Sequence, residues 1–110
     1  MENCIFCKII AGDIPSPRLY EDEVMIVIKD IEPKAKLHYL CIPKRHFPLL
    51  SEAQEEVEIV KHCFAVIPKI KDELGLQDGY RVVINQGENG GQAVHHLHIH
   101  LLGGEVLGDF

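Results

Sequence analysis

The sequence lacks a long apolar run. No stretch of its 110 residues approaches the roughly 20 apolar residues that a membrane-spanning helix needs. The first ten residues contain Glu2, Asn3 and two cysteines, and they lack the basic start and the apolar stretch of a signal peptide. We therefore expect a cytoplasmic protein with no membrane partner. In that compartment cysteines more often bind metals or act in redox chemistry than form structural disulfides.

Positive charge is also scarce. The chain has 11 lysines and arginines against 17 acidic residues, for a formal net charge of -6. A general nucleic-acid binder needs a basic surface to neutralise phosphates, so this balance argues against a nucleic-acid partner. A small phosphate ligand is still compatible with it, because a few backbone amides and imidazoles are enough to hold one.

The length of 110 residues fits a single domain over residues 1–110. Apolar residues make up 46% of the chain and charged residues 25%, which is an ordinary globular balance. Because so small a domain buries only part of its surface on folding, we expect a metal ion or a second subunit to contribute to its stability.

Apolar runs between turn residues predict the strands. Residues 24–28, Val-Met-Ile-Val-Ile, are nearly all apolar and largely β-branched, which is typical of a strand buried on both faces. A short helix is predicted over residues 3–11, ended by Gly12. Four further strands are predicted at 19–22, 38–42, 80–84 and 96–102.

A long helix is predicted to begin at Ser51, whose hydroxyl forms a capping box with Gln54. Pro68 is expected to kink this helix and Gly75 to end it. Two apolar rows recur along it, Leu50, Ala53, Val57, Val60, Phe64, Ile67 and Leu74 in one and Ile59, Cys63, Val66 and Ile70 in the other. One sheet covers only part of so wide an apolar face, so we predict a homodimer.

Histidines alternate with apolar residues near the end of the chain, in the run His-Leu-His-Ile-His over residues 96–100. On a strand this spacing places His96, His98 and His100 on one face, about 6.6 Å apart in succession. His95 breaks the alternation and is expected to face away. Clustered imidazoles suit either metal ligation or nucleophilic and acid–base chemistry near neutral pH.

A glycine-rich loop, Gly-Glu-Asn-Gly-Gly-Gln over residues 87–92, lies just before the histidines. It matches neither a dinucleotide-binding fingerprint nor a P-loop. Glycines allow backbone N–H groups to turn inward and hold an anion, so beside His98 the loop favours a phosphate ligand.

The segment from Gly90 to Gly104 resembles the histidine triad (HIT) proteins, whose motif is His-φ-His-φ-His-φ-φ with φ apolar, and within them the Hint branch of purine nucleoside phosphoramidases. The resemblance extends over nearly the whole chain through residues 6–10, 13–15, 20–23, 42–46 and 79–85. It implies an α+β fold of the HIT type. That fold has an antiparallel sheet of about five strands, one long and one short helix, and a sheet continued across a dimer.

The resemblance also implies the chemistry and the roles of individual residues. His98 is similar to the nucleophile that attacks the α-phosphorus of a purine nucleoside phosphoramidate and forms a nucleotidyl-histidine, which water then hydrolyses to the monophosphate. His100 supports the phosphate or the nucleophile, and His38 joins the hydrogen-bond relay of the triad. Asp30 matches the acid that binds the ribose hydroxyls, and Asn85 matches a polar group near the phosphate. The remaining nucleotide-site residues are Gly91, Gln92, Ala93 and Val94 around the phosphate and Ile5, Phe6, Ile9, Ile28 and Ile31 around the base.

Other functions stay open. Dinucleoside polyphosphate hydrolysis and nucleotidyl transfer occur in other HIT branches, and a non-catalytic nucleotide-binding partner protein would carry the same residues. Ala93 stands where close relatives often carry a serine that bonds the phosphate, which leaves substrate preference open. A catalytic metal held by His96, His98 and His100 is disfavoured, because three successive same-face positions of one strand suit a single ion poorly.

Cys4 and Cys7 form a Cys-x-x-Cys knuckle, and two thiolates at this spacing can hold one tetrahedral zinc ion. In some HIT proteins and in the related galactose-1-phosphate uridylyltransferases two histidines complete such a site, and the matching residues here are His46 and His96. The resemblance thus implies a structural Zn²⁺ with no open position for catalysis. If His96 binds zinc, its coordinated nitrogen does not also shuttle protons. Cys41 and Cys63 lie in apolar patterns and are expected in the core.

Overall fold

The computed structural model describes residues 3–110, which form two helices and one five-stranded antiparallel sheet. Along the sheet the strands lie in the order β1-β2-β3-β5-β4. This arrangement confirms the predicted α+β fold with one long and one short helix. The elements are α1 (Ile5–Ala11), β1 (Tyr20–Glu21), β2 (Met25–Lys29), β3 (Leu37–Pro43), α2 (Gln54–Ile70), β4 (Tyr80–Val83) and β5 (Ile99–Gly103).

Each face of the sheet is covered by one helix. Because side chains alternate along a strand, Met25 and Val27 face α2 while Ile26 and Ile28 face α1. Residues 25–28 are all buried, as predicted. On β5, Ile99 and Leu101 pack on the α2 side, which directs the alternating His100 toward the side of α1. The short N-terminal helix therefore lies on the same face of the sheet as the histidine chemistry.

The predicted capping box at the start of α2 is wrong. The helix begins at Gln54, and its N-cap Ala53 has no side chain able to accept a hydrogen bond. The Ser51 hydroxyl oxygen accepts instead from the Ala53 N–H at 3.0 Å, closing a local turn before the helix, and Gln54 donates to Glu58. Two glutamates, Glu55 and Glu56, lie in the first turn, where their charge is favourable.

The end of α2 also differs from the prediction. The helix ends at Ile70, and residues 71–75 continue as turns. Gly75 closes these turns with a φ of 77°, a conformation open to glycine, so it ends the turn segment rather than the helix itself. Pro68 lies inside the helix, and the kink expected there stays a prediction.

The last strand begins later than predicted. β5 starts at Ile99, and residues 94–98, which precede it, make no regular pairing with β3. In a continued register Leu97 would face Pro43, which has no N–H to donate. Leu97 instead donates its N–H to the Phe47 carbonyl at 2.8 Å. The strand predicted over residues 96–102 therefore begins three residues too early. The rings of His96, His98 and His100 still lie on the side of α1, where Phe6 contacts the first two.

Neither helix within residues 3–110 is both long enough and apolar enough to span a bilayer. The outer side of α2 carries exposed apolar side chains, of which Val57 is 40% exposed and Phe64 44% exposed. Leu49 and Leu50 extend this exposed apolar surface before the helix.

Candidate active site

His98 is held by one hydrogen bond that determines which of its ring nitrogens is free. Its Nδ1 lies 2.8 Å from the backbone carbonyl oxygen of His96. A carbonyl oxygen only accepts, so Nδ1 carries the proton and donates, and Nε2 of the neutral ring keeps its lone pair. The Phe6 ring contacts the His98 ring edge-on, with centroids 5.0 Å apart. The buried His98 ring is therefore fixed with an unprotonated Nε2.

A second chain of hydrogen bonds orients His100. The backbone N–H of Lys34 donates to His38 Nδ1 at 3.0 Å, so the neutral His38 ring carries its proton on Nε2. That Nε2–H donates to His100 Nδ1 at 2.9 Å, with an Asp30 carboxylate oxygen 3.4 Å from the same nitrogen. His100 Nδ1 is thus an acceptor, and the proton of the neutral His100 ring is on Nε2.

His100 Nε2 is buried and has no hydrogen-bond partner within residues 3–110. Leaving a buried donor unmatched costs about 1–3 kcal/mol, and such groups often serve a ligand. The His98 and His100 rings are neighbours, with centroids 4.9 Å apart. The ring with the unprotonated nitrogen and the ring with the unmatched N–H donor are therefore neighbours.

Burial favours the neutral forms of His38 and His100. Desolvation lowers the pKa of His100 to about 4, and positive charge on His98 or His38 would oppose its protonation further. Desolvation also lowers the pKa of His38, against a smaller opposing effect of the Asp30 carboxylate. At neutral pH the relay consequently runs through uncharged imidazoles, as the hydrogen bonds above require.

The depressed pKa of His100 predicts a pH-dependent stability. In the unfolded chain His100 titrates near 6.5 and in the folded protein near 4, so the folded state binds fewer protons between these values. The free energy of unfolding should therefore fall as the pH is lowered through this window. We expect His100→Gln, which keeps an N–H donor and removes the titrating group, to show a smaller fall in urea unfolding between about pH 7 and about pH 5.

The two proteins in that comparison share every other titrating group, so the difference between their pH profiles isolates His100. Equal losses of stability in wild type and His100→Gln would contradict the proposed burial of a neutral His100.

A cavity of about 290 Å³ opens beside the hydrogen-bonded pair of His38 and His100, which we call the relay. Its lining brings together two of the residues predicted to bind nucleotide, Asp30 and Asn85, with His38 and His100. One Asp30 oxygen accepts the Glu32 N–H at 2.8 Å, which fixes the carboxylate at the cavity wall. The cavity is completed by Glu32, Lys34, Val83 and Leu102.

Asp30, His38 and His100 also have the composition of a metal site, with one carboxylate and two histidines. The Lys34 N–H argues against that use. Because it occupies His38 Nδ1, His38 Nε2 carries a proton and has no lone pair to offer an ion. Asp30, His38 and His100 are therefore better described as a hydrogen-bonded group in which His38 Nε2 donates its proton to His100.

The glycine-rich loop is held together by Gln92, whose side chain is buried. Its amide oxygen accepts the Gly87 N–H at 2.8 Å, and its amide nitrogen donates to the carbonyls of Pro48 and Val94 at 2.7 and 3.2 Å. Both amide hydrogens are used within the protein, so this side chain shapes the loop. The contacts of Gln92 and Gly91 with a phosphate stay predictions.

The structure separates the residues predicted to surround the base. Phe6 and Ile9 on α1 pack against Ile28 on β2, and all three are buried in the core. Ile31 is 91% exposed and Ile5 44% exposed. Ile5 lines a second cavity, of about 440 Å³, together with Asn3, Cys4, His46, Ala93, Val94 and His95.

The four predicted metal ligands come together from three separate parts of the chain. Their ligand atoms, on Cys4, Cys7, His46 and His96, all lie within 4.8 Å of one another. His96 Nδ1 is 3.3 Å from Cys4 Sγ, 3.6 Å from Cys7 Sγ and 3.1 Å from His46 Nδ1. Tetrahedral zinc places such atoms about 3.3–3.8 Å apart. The cluster therefore matches the dimensions of a metal site.

The donor chemistry of His96 supports the same conclusion. Its Nε2 lies 2.8 Å from the Pro43 carbonyl oxygen, so Nε2 carries the proton and Nδ1 has a single free lone pair. One lone pair does not satisfy three neighbours at hydrogen-bond distance, whereas a shared cation does. Desolvation lowers the pKa of the His96 imidazole, which favours the neutral form that ligates metals. These residues can hold a metal ion.

The ring of His96 therefore takes no place in the relay predicted for the triad. Both of its nitrogens are engaged elsewhere, and it is the backbone carbonyl of this residue that contacts His98. Sequence patterns did not reveal the backbone groups that set the tautomers, namely Lys34 N–H, Pro43 C=O and His96 C=O. Such groups carry no residue-type signal.

The sequence and the structure both match known proteins. Residues 3–109 match the family described as "Scavenger mRNA decapping enzyme C-term binding". The chain is 48% identical over 107 residues to Protein HitA of Neisseria gonorrhoeae, covering 96% of this chain and 100% of that protein. It is 46% identical over 105 residues to an uncharacterized HIT-like protein of Chlamydia muridarum, covering 94% of this chain and 83% of that protein.

Two solved structures have closely similar folds. A histidine triad protein from Clostridium difficile superposes with a TM-score of 0.93 and 44% identity, covering 100% of this chain and 97% of that one. A HIT family hydrolase from Clostridium thermocellum gives a TM-score of 0.92 at 44% identity, with the same 100% and 97% coverage. With its histidine run, its sheet order and these relatives, the chain belongs to the histidine triad family.

Proposed function

We propose that this chain is a nucleotide hydrolase of the Hint type, which cleaves the P–N bond of purine nucleoside phosphoramidates through a covalent nucleotidyl-His98. One observation carries the proposal, the unprotonated Nε2 of His98 beside the unmatched Nε2–H of His100. The hydrolase named among the structural relatives is consistent with it.

In the first step the His98 Nε2 lone pair attacks the α-phosphorus. An N–P bond forms, the P–N bond to the leaving amine breaks, and the amine leaves with a proton taken from water. The imidazole gains positive charge as it reacts, and its Nδ1–H donates to the His96 carbonyl, which stabilises that charge. His100 Nε2–H is positioned to donate to a phosphate oxygen.

In the second step water attacks the same phosphorus and loses a proton, which neutralises the hydroxide left when the amine took its proton from water. The N–P bond to His98 breaks, the nucleoside monophosphate is released, and the imidazole regains its lone pair. Splitting the reaction in this way lets one histidine act first as nucleophile and then as leaving group. The ring of His96 is not a proton donor in either step, since both of its nitrogens are occupied.

The cavity beside the relay suits the nucleoside. The Asp30 carboxylate lies in its wall and accepts hydrogen bonds, as two ribose hydroxyls require. Asn85 lines the same cavity near His100 and is assigned to the phosphate end. Of the apolar residues expected around the purine base, Ile31 follows Asp30 and is exposed, so we assign it to the base, whereas Phe6, Ile9 and Ile28 are buried in the core. A purine monophosphate is thus the proposed product.

A substrate panel tests this proposal. Wild-type protein is incubated with adenosine phosphoramidate, guanosine phosphoramidate and a diadenosine polyphosphate, and nucleoside monophosphate release is measured. Rapid acid-free quenching and mass spectrometry should locate a nucleotidyl group on the peptide that contains His98. Activity on the dinucleotide alone would assign the chain to another HIT branch, and binding without turnover would make it a nucleotide-binding partner protein.

We also propose that the metal is a structural zinc ion held by Cys4, Cys7, His46 and His96. Two thiolates and two imidazoles are the typical ligand set of closed tetrahedral zinc sites, which have no open position for a substrate. No described cysteine forms a disulfide. Reduced thiols suit a cytoplasmic location, which we propose for this protein.

A homodimer is proposed from the outer side of α2. Its exposed Val57 and Phe64, with Leu49 and Leu50, form an apolar surface that a second copy would cover. Sedimentation at micromolar concentration should give the mass of two chains, and a monomer there would contradict the proposal.

A further inference from the structure

Both ends of the glycine-rich loop, residues 87–92, are attached to the same short segment before α2. Gln86 directly precedes the loop, and its amide oxygen accepts the Leu50 N–H at 2.7 Å. Gln92 ends the loop, and its amide nitrogen donates to the Pro48 carbonyl at 2.7 Å. One segment therefore holds the loop from both sides through two glutamine side chains.

The amide of Gln86 makes two hydrogen bonds of opposite kind. Its oxygen accepts from the Leu50 N–H, and its nitrogen donates to the Asn85 carbonyl at 3.1 Å. A backbone N–H only donates and a carbonyl only accepts, so the orientation of this amide is fixed by its partners. An apolar side chain of the same length would make neither bond.

The main chain at Asn85 and Gln86 has no support from the sheet. β4 ends at Val83, and neither residue makes a backbone–backbone hydrogen bond within residues 3–110. The side chain of Ile84 packs against the core on the α2 side and anchors the chain just before this point. Between that anchor and the loop, the Gln86 amide supplies the hydrogen bonds that reach the main chain.

The main chain of Gln86 also lies directly against the loop. A Cβ added at Gly90 would lie 2.3 Å from the Gln86 carbonyl oxygen and 2.8 Å from the Gln86 nitrogen, so no side chain fits there. On its other side Gln86 adjoins Asn85, which lines the nucleoside cavity with His100. A shift of the Gln86 main chain would therefore displace both the loop and a wall of the cavity.

We propose that Gln86 is a positioning residue for the reaction, which holds the Asn85 side chain toward the phosphate of the substrate. The inference rests on the proposed function, in which Asn85 lies at the phosphate end of the cavity. Gln86 acts through Asn85, because its own amide is directed to Leu50 and to the Asn85 carbonyl. Without these two bonds Asn85 samples more orientations, and fewer of them suit the transition state.

The test compares Gln86→Met, which removes both hydrogen bonds at nearly equal side-chain length, with Gln77→Met. Gln77 is an exposed glutamine in the turn before β4 and does not line the nucleoside cavity. We expect Gln86→Met to lower kcat/KM for adenosine phosphoramidate by about 10–100-fold, because a displacement of about 1 Å costs up to about 100-fold. Gln77→Met should keep the wild-type value.

Two further readouts separate positioning from a general loss of packing. In Gln86→Met the affinity for adenosine monophosphate should weaken by up to about 10-fold, the size of one hydrogen bond to a charged group, while the affinity for adenosine stays unchanged. In an Asn85→Ala background Gln86→Met should lower kcat/KM by no more than about threefold, because the group through which it acts is already absent.

Hydrogen exchange of wild type keeps the inference testable if Gln86→Met does not fold. The Leu50 amide donates to the Gln86 side chain, so its exchange rate reports on that bond. Adenosine monophosphate should slow this exchange more than adenosine does, because contacts at the phosphate and the Gln86 bond stabilise each other. Equal exchange with the two ligands would contradict the inference.

A Gln86→Met protein with wild-type kcat/KM and wild-type affinity for adenosine monophosphate would overturn the inference. The same loss of kcat/KM with and without the Asn85 side chain would overturn it as well. Failure of the proposed function looks different. Wild type would then release no monophosphate from any phosphoramidate, while the affinities for adenosine monophosphate and adenosine would still compare Gln86→Met with Gln77→Met.

Discussion

His98→Ala is expected to lower kcat/KM for adenosine phosphoramidate by roughly 10⁴-fold or more, because the variant loses the proposed nucleophile on which both proposed steps depend. The His100 donor and the nucleoside cavity remain, so binding of adenosine monophosphate should change far less than turnover. No nucleotidyl-protein should accumulate in quenched reactions of this variant. Steady-state kinetics with intact-protein mass spectrometry measures both effects.

His95→Ala is the matched control for that loss. His95 is adjacent in sequence, is exposed to solvent, and lies outside the relay that joins His38 to His100. We expect its kcat/KM to stay near that of wild type. Comparable activity in His98→Ala and wild type would exclude the covalent mechanism, whatever the substrate.

Removal of the proposed zinc ion is expected to produce the largest change in stability. The cluster ties α1 to the loop after β3 and to the segment before β5, three parts of the chain that are distant in sequence. A ligand present at about a thousand times its Kd stabilises the folded state by about 4 kcal/mol. Since each kcal/mol shifts the Tm of a small domain by roughly 4 °C or more, chelation should lower the Tm by about 15 °C.

The double variant Cys4→Ala/Cys7→Ala provides the control, because it has lost the two thiolates. Its Tm should be low from the start and should not respond to a chelator, and metal analysis should find zinc in wild type at one ion per chain but not in the variant. A wild-type Tm that is unaffected by chelation, or a purified protein with zinc far below that content, would contradict a structural zinc site.

The sequence alone predicted elements whose pattern is local. Residues 25–28 of the apolar run predicted at 24–28 form the buried part of β2, and the cluster of Cys4, Cys7, His46 and His96 was brought together as expected. The family motif supplied that ligand set, and the family itself is confirmed by the relatives. The strand and the cysteine pair follow from residue type and spacing, whereas His46 and His96 entered the ligand set through the family resemblance.

Two predictions of secondary structure failed because a neighbouring group changed the hydrogen bonds that the local pattern would otherwise form. Ser51 carries the residue type of a helix cap, yet its hydroxyl accepts a hydrogen bond from the turn that precedes α2. The histidine run has the alternation of a strand, yet its first half leaves the sheet, because Pro43 on the facing strand has no N–H to donate. Neither competitor is visible from the pattern of the segment it affects.

The sequence by itself determined which histidines this protein possesses and that His96, His98 and His100 alternate with apolar residues in one short run. Tertiary structure alone decided what each one is able to do. The Lys34 N–H, the Pro43 carbonyl and the His96 carbonyl select the protonated nitrogen of His38, His96 and His98 in turn. An imidazole becomes a nucleophile, a donor or a ligand according to which nitrogen bears its proton, and that depends on backbone groups which every residue shares and only folding positions.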